Sequence, residues 1–146
     1  MKLSTKTRYG LRILIQIALE KMNGKRLAQG KFIAGKQDIT EAYLEQIMIP
    51  LKHGGIVGTV RGCNGGYELR KPPEEITVLE IIELFDGEIN FADCQKGAEQ
   101  CRRSGRCFTR GVWSRLAEKF REEAAAITVA SIIEDYTKNA AGDYII

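Results

Sequence analysis

Apolar residues near the start of the chain recur at the spacing of an α-helix. The first repeat includes the largely apolar run of residues 13–19, and either Ser4 or Thr5 is placed to cap the helix that carries it. This helix should end near the Asn-Gly pair at residues 23–24. A shorter second helix is predicted over residues 31–37.

A third stretch has the clearest two-sided pattern. Thr40 is placed to cap this helix, and Pro50 near its far end should kink it or end it early. The apolar positions at i, i+3, i+4 and i+7 are Leu44, Ile47, Met48 and Leu51. They predict one buried stripe. The residues left on or near the opposite surface are Glu41, Ala42, Tyr43, Glu45 and Gln46.

Two β-prone runs come next. Residues 56–60 and 67–69 flank the sequence Arg-Gly-Cys-Asn-Gly-Gly, whose Asn-Gly pair tolerates the positive φ of a tight turn. Two helices joined by a turn and followed by a hairpin predict a winged helix-turn-helix. The fold class is therefore mainly α with a small β-wing.

The second half of the chain is predicted to be a helix, a loop and a long helix. Thr77 and Glu80 have the spacing of a capping box, and Gly87 can close the helix that they open. After the loop, Thr109 is placed to cap a long helix. We therefore divide the chain into a winged helix-turn-helix unit at 1–73, a helix with a cysteine-rich loop at 74–108, and a long helix with a C-terminal tail at 109–146.

The long helix carries an apolar stripe that leads to a second apolar patch at residues 127–133. The members of the stripe are Trp113, Leu116, Ala117, Phe120 and Ala124. A stripe of this length has more surface than one chain of 146 residues easily covers. We therefore expect a homodimer formed through this helix. The alternative is that the stripe folds back onto the first helix.

The charges are divided unevenly between the two halves. Residues 1–73 contain 13 Lys and Arg against 5 Asp and Glu, whereas residues 74–146 contain 9 against 14. A basic first half suggests a polyanionic partner. Combined with a winged helix-turn-helix, this asymmetry predicts binding to double-stranded DNA.

In such a complex the third helix faces base edges in the major groove, and Arg61 at the base of the wing reaches the adjacent minor groove. The predicted DNA-binding residues are Thr40, Tyr43, Glu45, Gln46, Arg61 and Gly62. Glu45 would repel DNA unless it accepts from a cytosine amino group. The alternatives are that the exposed helix residues are simply solvated and that Arg61 touches only phosphate.

Three of the four cysteines lie within fourteen residues, as Cys94, Cys101 and Cys107. Thiolates are the ligands that iron–sulfur clusters and zinc prefer, so this segment is a candidate metal site. The chain lacks a signal-peptide or membrane-span pattern, and we expect it in the reducing cytoplasm, where clustered thiols favour metal binding or redox sensing over structural disulfides. No catalytic dyad or nucleotide-binding loop points to an enzyme.

Several segments together resemble the IscR and NsrR superfamily of bacterial winged-helix iron–sulfur transcription regulators. They are the first six residues, Tyr43-Leu44-Glu45-Gln46, Val60-Arg61-Gly62, Gly65-Gly66-Tyr67, and the run from Pro72 to Val78. The resemblance extends from Met1 to about Asp135. It implies a DNA-binding homodimer that reads a pseudo-palindromic site and is often gated by an iron–sulfur cluster, here on Cys94, Cys101 and Cys107.

The fourth cluster ligand of the resembling regulators has no counterpart in this chain. One branch uses a histidine three residues after the last cysteine, where this sequence has Arg110. The nitric-oxide-sensing branch uses an acidic residue near the amino terminus of the partner subunit, and the matching position is Arg8. The cluster type, [2Fe-2S] or [4Fe-4S], therefore stays open.

The alternatives at the cysteines are zinc, no metal, or a cluster-free regulator that is controlled by a partner protein or by a thiol redox switch. A redox enzyme or electron carrier is a further possibility, but no second cofactor motif supports it.

Overall fold

The computed structural model describes residues 2–97, 99 and 101–142. The helices and strands are α1 (Thr5–Met22), α2 (Gly30–Gln37), α3 (Glu41–His53), β1 (Val57–Val60), β2 (Gly66–Leu69), α4 (Val78–Asp86), α5 (Arg110–Ala126) and α6 (Val129–Gly142). The predicted mainly α fold with a small β-wing is confirmed. The last four residues of the predicted C-terminal tail, 143–146, lie outside the described residues.

The first helix begins where the sequence predicted. The Ser4 side chain accepts a hydrogen bond of 3.1 Å from the Thr7 backbone N–H, which satisfies one of the unpaired donors of the first turn. The carboxylate of Asp86 at the end of α4 accepts from the Ser4 backbone N–H at 3.0 Å and from the Thr7 hydroxyl at 2.7 Å. The start of α1 is thereby joined to the end of α4.

The amphipathic pattern of α3 is confirmed. The Thr40 hydroxyl accepts from the Tyr43 backbone N–H at 3.1 Å, and the four stripe residues are at most 1% exposed. Pro50 does not end the helix early, because α3 continues to His53. Pro50 lacks the N–H donor of a helical residue, but only one turn of helix follows it, and its own carbonyl accepts a hydrogen bond from the Gly54 N–H at 2.8 Å.

The wing is an antiparallel hairpin in which Val57 pairs with Leu69 and Val60 pairs with Gly66. Its second strand is also bonded to the segment that precedes α2. The Ala28 N–H donates to the Tyr67 carbonyl at 2.9 Å, and the Tyr67 N–H donates to the Ala28 carbonyl at 2.8 Å. At Gly66 an added Cβ would lie 2.6 Å from the Ala28 oxygen, so this close approach requires glycine.

The predicted long helix and the apolar patch after it are two separate helices. The helix is interrupted at residues 127–128. Here the Val78 N–H donates to the Ile127 carbonyl and the Val129 N–H donates to the Ile76 carbonyl, each at 2.9 Å. These bonds to the segment before α4 turn α6 back against α1. The part of the predicted apolar surface that lies on α6 therefore folds back onto α1, as the alternative to dimerisation had it.

One main core takes side chains from helices on both sides of the predicted boundaries, including Leu14 on α1, the stripe of α3, Ile81 on α4 and Ile133 on α6. The three predicted segments thus share one core. Their boundaries at residues 73 and 108 stay a prediction about which part of the chain carries which function. A smaller cluster joins Ile82 of α4 to Ala124 of α5. Within the described part of the chain, no helix has both the length and the apolar character needed to cross a bilayer.

Candidate nucleic-acid interface

The outward face of α3 is largely polar, and the opposite face is buried. Glu41, Ala42, Glu45 and Gln46 are all exposed on this helix. Since residues one and two positions apart point in different directions on a helix, burying the stripe leaves these side chains facing solvent. The structure therefore brings the predicted reader Gln46 and the carboxylate of Glu45 together on one accessible surface.

Tyr43 lies at the border between this surface and the core. It is half-buried, and its ring meets the ring of Tyr9 edge-on, with centroids 5.8 Å apart and an interplanar angle of 89°. The guanidinium of Arg12 lies 5.1 Å from the centroid of the Tyr9 ring. This packing holds one side of Tyr43 on α1 and leaves part of the residue on the α3 surface.

Glu45 is bound to the wing, a contact that the sequence pattern did not predict. The hydroxyl of Tyr67 on β2 donates a hydrogen bond to Oε1 of Glu45. Tyr67 is only 5% exposed, and its burial, followed by the hydrogen bond and the charge of Glu45, raises the pKa of its phenol above the ordinary value. The Gly-Gly-Tyr motif marks the position of Tyr67 in the sequence but not its partner.

Arg61 is exposed where β1 ends and the wing turn begins. In this turn the positive φ is at Gly62 and not at the Asn-Gly pair. Its value, +114°, is one that a residue with a side chain rarely adopts. The turn closes with a hydrogen bond of 3.0 Å from the Gly65 N–H to the Gly62 carbonyl. Arg61 and Gly62 thus lie in the turn at the tip of the wing, not at its base as predicted for Arg61, and the fourth cysteine, Cys63, is exposed beside them.

The three clustered cysteines lie on the segment between α4 and α5. Cys94 is in a short 3-10 turn at Asp93–Gln95, and Cys107 follows another at Ser104–Arg106. All three residues are partly buried, and none of them is in a disulfide. Among the described residues, however, no group of three His, Cys, Asp or Glu side chains is arranged to hold a metal ion. The donor types fit an iron–sulfur cluster, but their arrangement in this structure does not.

Thr109 is at the predicted position before α5, but its side chain makes no capping bond. Its hydroxyl lies 3.3 Å from the sulfur of Cys107 and exchanges a hydrogen bond with it instead. This bond, with the backbone N–H groups of Thr109 and Arg110, lowers the pKa of the Cys107 thiol, and the charge of Arg103 contributes less. The bond between the Thr109 hydroxyl and the Cys107 thiol was not predicted from the sequence.

The apolar stripe of α5 is only partly covered. Ala117 and Ala124 are buried, whereas Trp113 is 38% exposed and Leu116 is 48% exposed. Val112 and Phe108 add further exposed apolar surface at the same end of the helix. The start of α5 and the residue two positions before it therefore present a group of exposed apolar side chains, which we call the α5 patch and define as Phe108, Val112, Trp113 and Leu116.

Comparison with known proteins identifies the family. The model described as "Rrf2: Iron-dependent Transcriptional regulator" matches residues 3–135. The transcriptional regulator CymR of Bacillus subtilis is 34% identical over 132 residues, which cover 90% of this chain and 89% of CymR. The transcriptional regulator IscR of Photorhabdus laumondii is 33% identical over 136 residues, which cover 92% of this chain and 80% of IscR.

Solved structures agree with the sequence comparison. The structure described as CymR, the global cysteine regulator of B. subtilis, matches with a TM-score of 0.74 and 32% identity, over 90% of this chain and 95% of that one. The structure of T. potens IscR matches with a TM-score of 0.72 and 31% identity, over 93% and 88%. The resemblance inferred from the sequence motifs is thus confirmed.

The chain belongs to the Rrf2 family of iron-dependent transcriptional regulators. It is a winged helix-turn-helix regulator. The expectation that it is not an enzyme is confirmed, because the similar sequences and solved structures are transcriptional regulators.

Proposed function

We propose that this regulator binds double-stranded DNA sequence-specifically by placing the outward face of α3 in the major groove. Gln46 is the proposed base reader, because an exposed amide can both donate to and accept from a base edge. Tyr43 lies beside it, Glu45 lies on the same surface, and Thr40 is at the helix N-terminus, where phosphate contacts are favoured. The single observation that carries the proposal is the exposed polar face of α3 opposite its buried stripe.

The wing is the proposed second contact. Arg61 and Gly62 lie in the turn that projects from β1, and a narrow minor groove attracts an inserted arginine through its negative potential. The excess of basic residues in 1–73 supports the same orientation, with this half of the protein towards the DNA and the acidic half away from it. Because the proposed ligand is chromosomal DNA, the proposed place of action is the cytoplasm.

The proposed active form is a homodimer joined through the α5 patch. Trp113 and Leu116 are large side chains whose exposure to water is unfavourable, and burying them between two copies would remove that cost. A two-fold dimer presents two α3 helices, so it would read a pseudo-palindromic site with half-sites about 10 base pairs apart, or a multiple of that spacing.

Cys94, Cys101 and Cys107 are the proposed ligands of an iron–sulfur cluster. Their thiol chemistry, the iron-dependent family and the similarity to IscR support this proposal. The segment would have to bring the three sulfurs closer together than they are in this structure. For this reason we assign the ligands only, and no step of DNA binding is derived from a cluster.

A second candidate is a cluster-free regulator that is controlled by a partner protein or by oxidation of a thiol. The similarity to CymR, whose solved structure is described as a global cysteine regulator, supports it. The lowered pKa of the Cys107 thiol supports the thiol form of this candidate, because a thiolate is the reactive species. DNA binding through α3 and the wing is common to both candidates.

The proposed readers are tested with single substitutions and a duplex enriched by the wild-type protein from a randomised pool. Gln46→Ala should weaken binding by roughly 1–3 kcal/mol and relax preference at one position of each half-site. Arg61→Ala should weaken binding, lessen the preference for A·T-rich flanks and reduce the salt slope by about 1. Fluorescence anisotropy measures the affinity and, over a salt series, the salt slope, and the same titration of duplexes changed at one half-site position or in the flanks measures the two preferences.

The control for lost charge is Lys138→Ala on α6, which should bind the duplex as the wild type does. Unchanged affinity in Gln46→Ala and Arg61→Ala would remove both residues from the interface. Weaker binding by Arg61→Ala without any change in flank preference would limit Arg61 to phosphate contact.

The dimer is tested by placing a charge in the α5 patch. In analytical ultracentrifugation the wild type should sediment as a species with twice the 16.3 kDa mass of the chain. Leu116→Glu should sediment as a monomer, because a dimer would bury the new carboxylate at its interface. Ser114→Glu adds the same charge on another face of α5 and should stay dimeric. A monomeric wild type, or a dimeric Leu116→Glu, would contradict this interface.

The cluster is tested by anaerobic purification followed by iron and sulfide analysis and visible absorption. The wild type should contain iron and sulfide, and Cys101→Ala should lose both because one of three thiolate ligands is removed. Cys63→Ala, which removes a thiol from the wing instead, should keep them. Full iron content in Cys101→Ala would refute the ligand assignment, and an iron-free wild type would favour the cluster-free candidate.

A further inference from the structure

Tyr67 links three parts of the molecule. Its backbone is bonded through both its N–H and its carbonyl to Ala28, its ring lies so close to Gly30 that a Cβ there would be 3.3 Å from Cε2, and its hydroxyl donates to Glu45 on α3. Because the backbone and the ring of Tyr67 are both held in place, its hydroxyl has little freedom to move away from Glu45. The phenol is therefore a fixed hydrogen-bond donor that points at the proposed reading surface from inside the protein.

Both carboxylate oxygens of Glu45 have a partner within the protein. Tyr67 binds Oε1, and Nζ of Lys52, two helical turns further along α3, lies 3.7 Å from Oε2. The side chain of Glu45 is nevertheless 54% exposed, so it remains at the surface that faces the proposed groove. Its charge is thus turned towards its own protein while the adjacent Gln46 is presented to solvent.

The state of this carboxylate matters on a DNA-binding surface. A carboxylate has acceptor oxygens only, so in the major groove it can accept only from the amino group of cytosine or of adenine, and the adenine amino group lies beside the N7 acceptor, which disfavours a carboxylate. The acceptor atoms of the base edges and the phosphates repel it. A free Glu45 would therefore lower affinity for most sequences and favour those with cytosine beneath it.

We propose that Tyr67 is a positioning residue that sets sequence preference, because its hydroxyl holds the Glu45 carboxylate against the protein and leaves Gln46 as the reader. Glu45 then neither repels the duplex strongly nor selects for cytosine. This inference rests on the proposed placement of α3 in the major groove. It assigns a specificity role to a nearly buried residue of the wing strand that touches no base.

The test uses Tyr67→Phe, which removes the hydroxyl and keeps the ring that packs beside Gly30. On the duplex enriched by the wild type from a randomised pool, Tyr67→Phe should bind about tenfold more weakly, as expected for a released like charge near phosphate. Its own enrichment from the same pool should gain cytosine at one position of each half-site. Adding Glu45→Gln to Tyr67→Phe should restore the affinity and abolish the gain of cytosine.

Tyr9→Phe is the matched control, since it removes a tyrosine hydroxyl from α1 that is not bound to Glu45, and circular dichroism checks that each variant is folded. Rescue by Glu45→Gln separates the proposed role from a structural one, because a damaged wing would not be repaired by a change on α3. If Tyr67→Phe matches the wild type in affinity and enriched sequence, or if Glu45→Gln gives no rescue, the inference is wrong while the proposed function stands. If the wild type enriches no sequence at all, the proposed function fails as well.

Discussion

The packing of the α3 stripe into the main core is the constraint on which the rest of the structure depends. Leu44, Ile47, Met48 and Leu51 are almost completely removed from water, and burying four such side chains contributes on the order of 6–12 kcal/mol before the entropy of ordering is subtracted. No rotation of α3 about its axis keeps this gain. The polar face of the helix is therefore fixed outward by the same interaction that stabilises the fold.

The wing is fixed relative to α3 by two kinds of contact, because Val57 and Tyr67 pack into the main core and polar groups of β2 bond to the helices. The backbone pair between Ala28 and Tyr67 anchors β2 beside the start of α2, and the Tyr67 hydroxyl reaches across to Glu45. A two-stranded hairpin is marginal in isolation, so these contacts to the helices are what gives the wing a defined position. Arg61 at its tip is held at a constant place relative to Gln46, which reading two adjacent grooves requires.

The fold was largely predictable from the sequence because its determinants are local. Helical spacing and the capping residues Ser4, Thr40 and Thr77 each act within a few residues, and each was found where predicted. The break between α5 and α6 was not predicted, because it arises from backbone bonds to Ile76 and Val78, about fifty residues earlier in the chain. A local pattern does not indicate such pairings.

The candidate site was predictable in position but not in its connections. The sequence placed Gln46 and Glu45 on the exposed face, yet the bond from Tyr67 to Glu45 spans 22 residues and depends on how β2 packs beside α3. At the cysteines the sequence shows three thiols close together in the chain, whereas their separation in space depends on a segment of short turns with little regular structure. Spacing along the chain does not specify the distances between sulfurs there.

The outward face of α3 and the tip of the wing are, in this account, the surfaces that meet DNA. Amide chemical-shift mapping by NMR, with and without the enriched duplex, tests this claim most directly. The largest shifts should fall on residues 40–46 and 61–65, and residues 129–140 of α6 should change little. Largest shifts in the acidic second half, with α3 unaffected, would contradict the account.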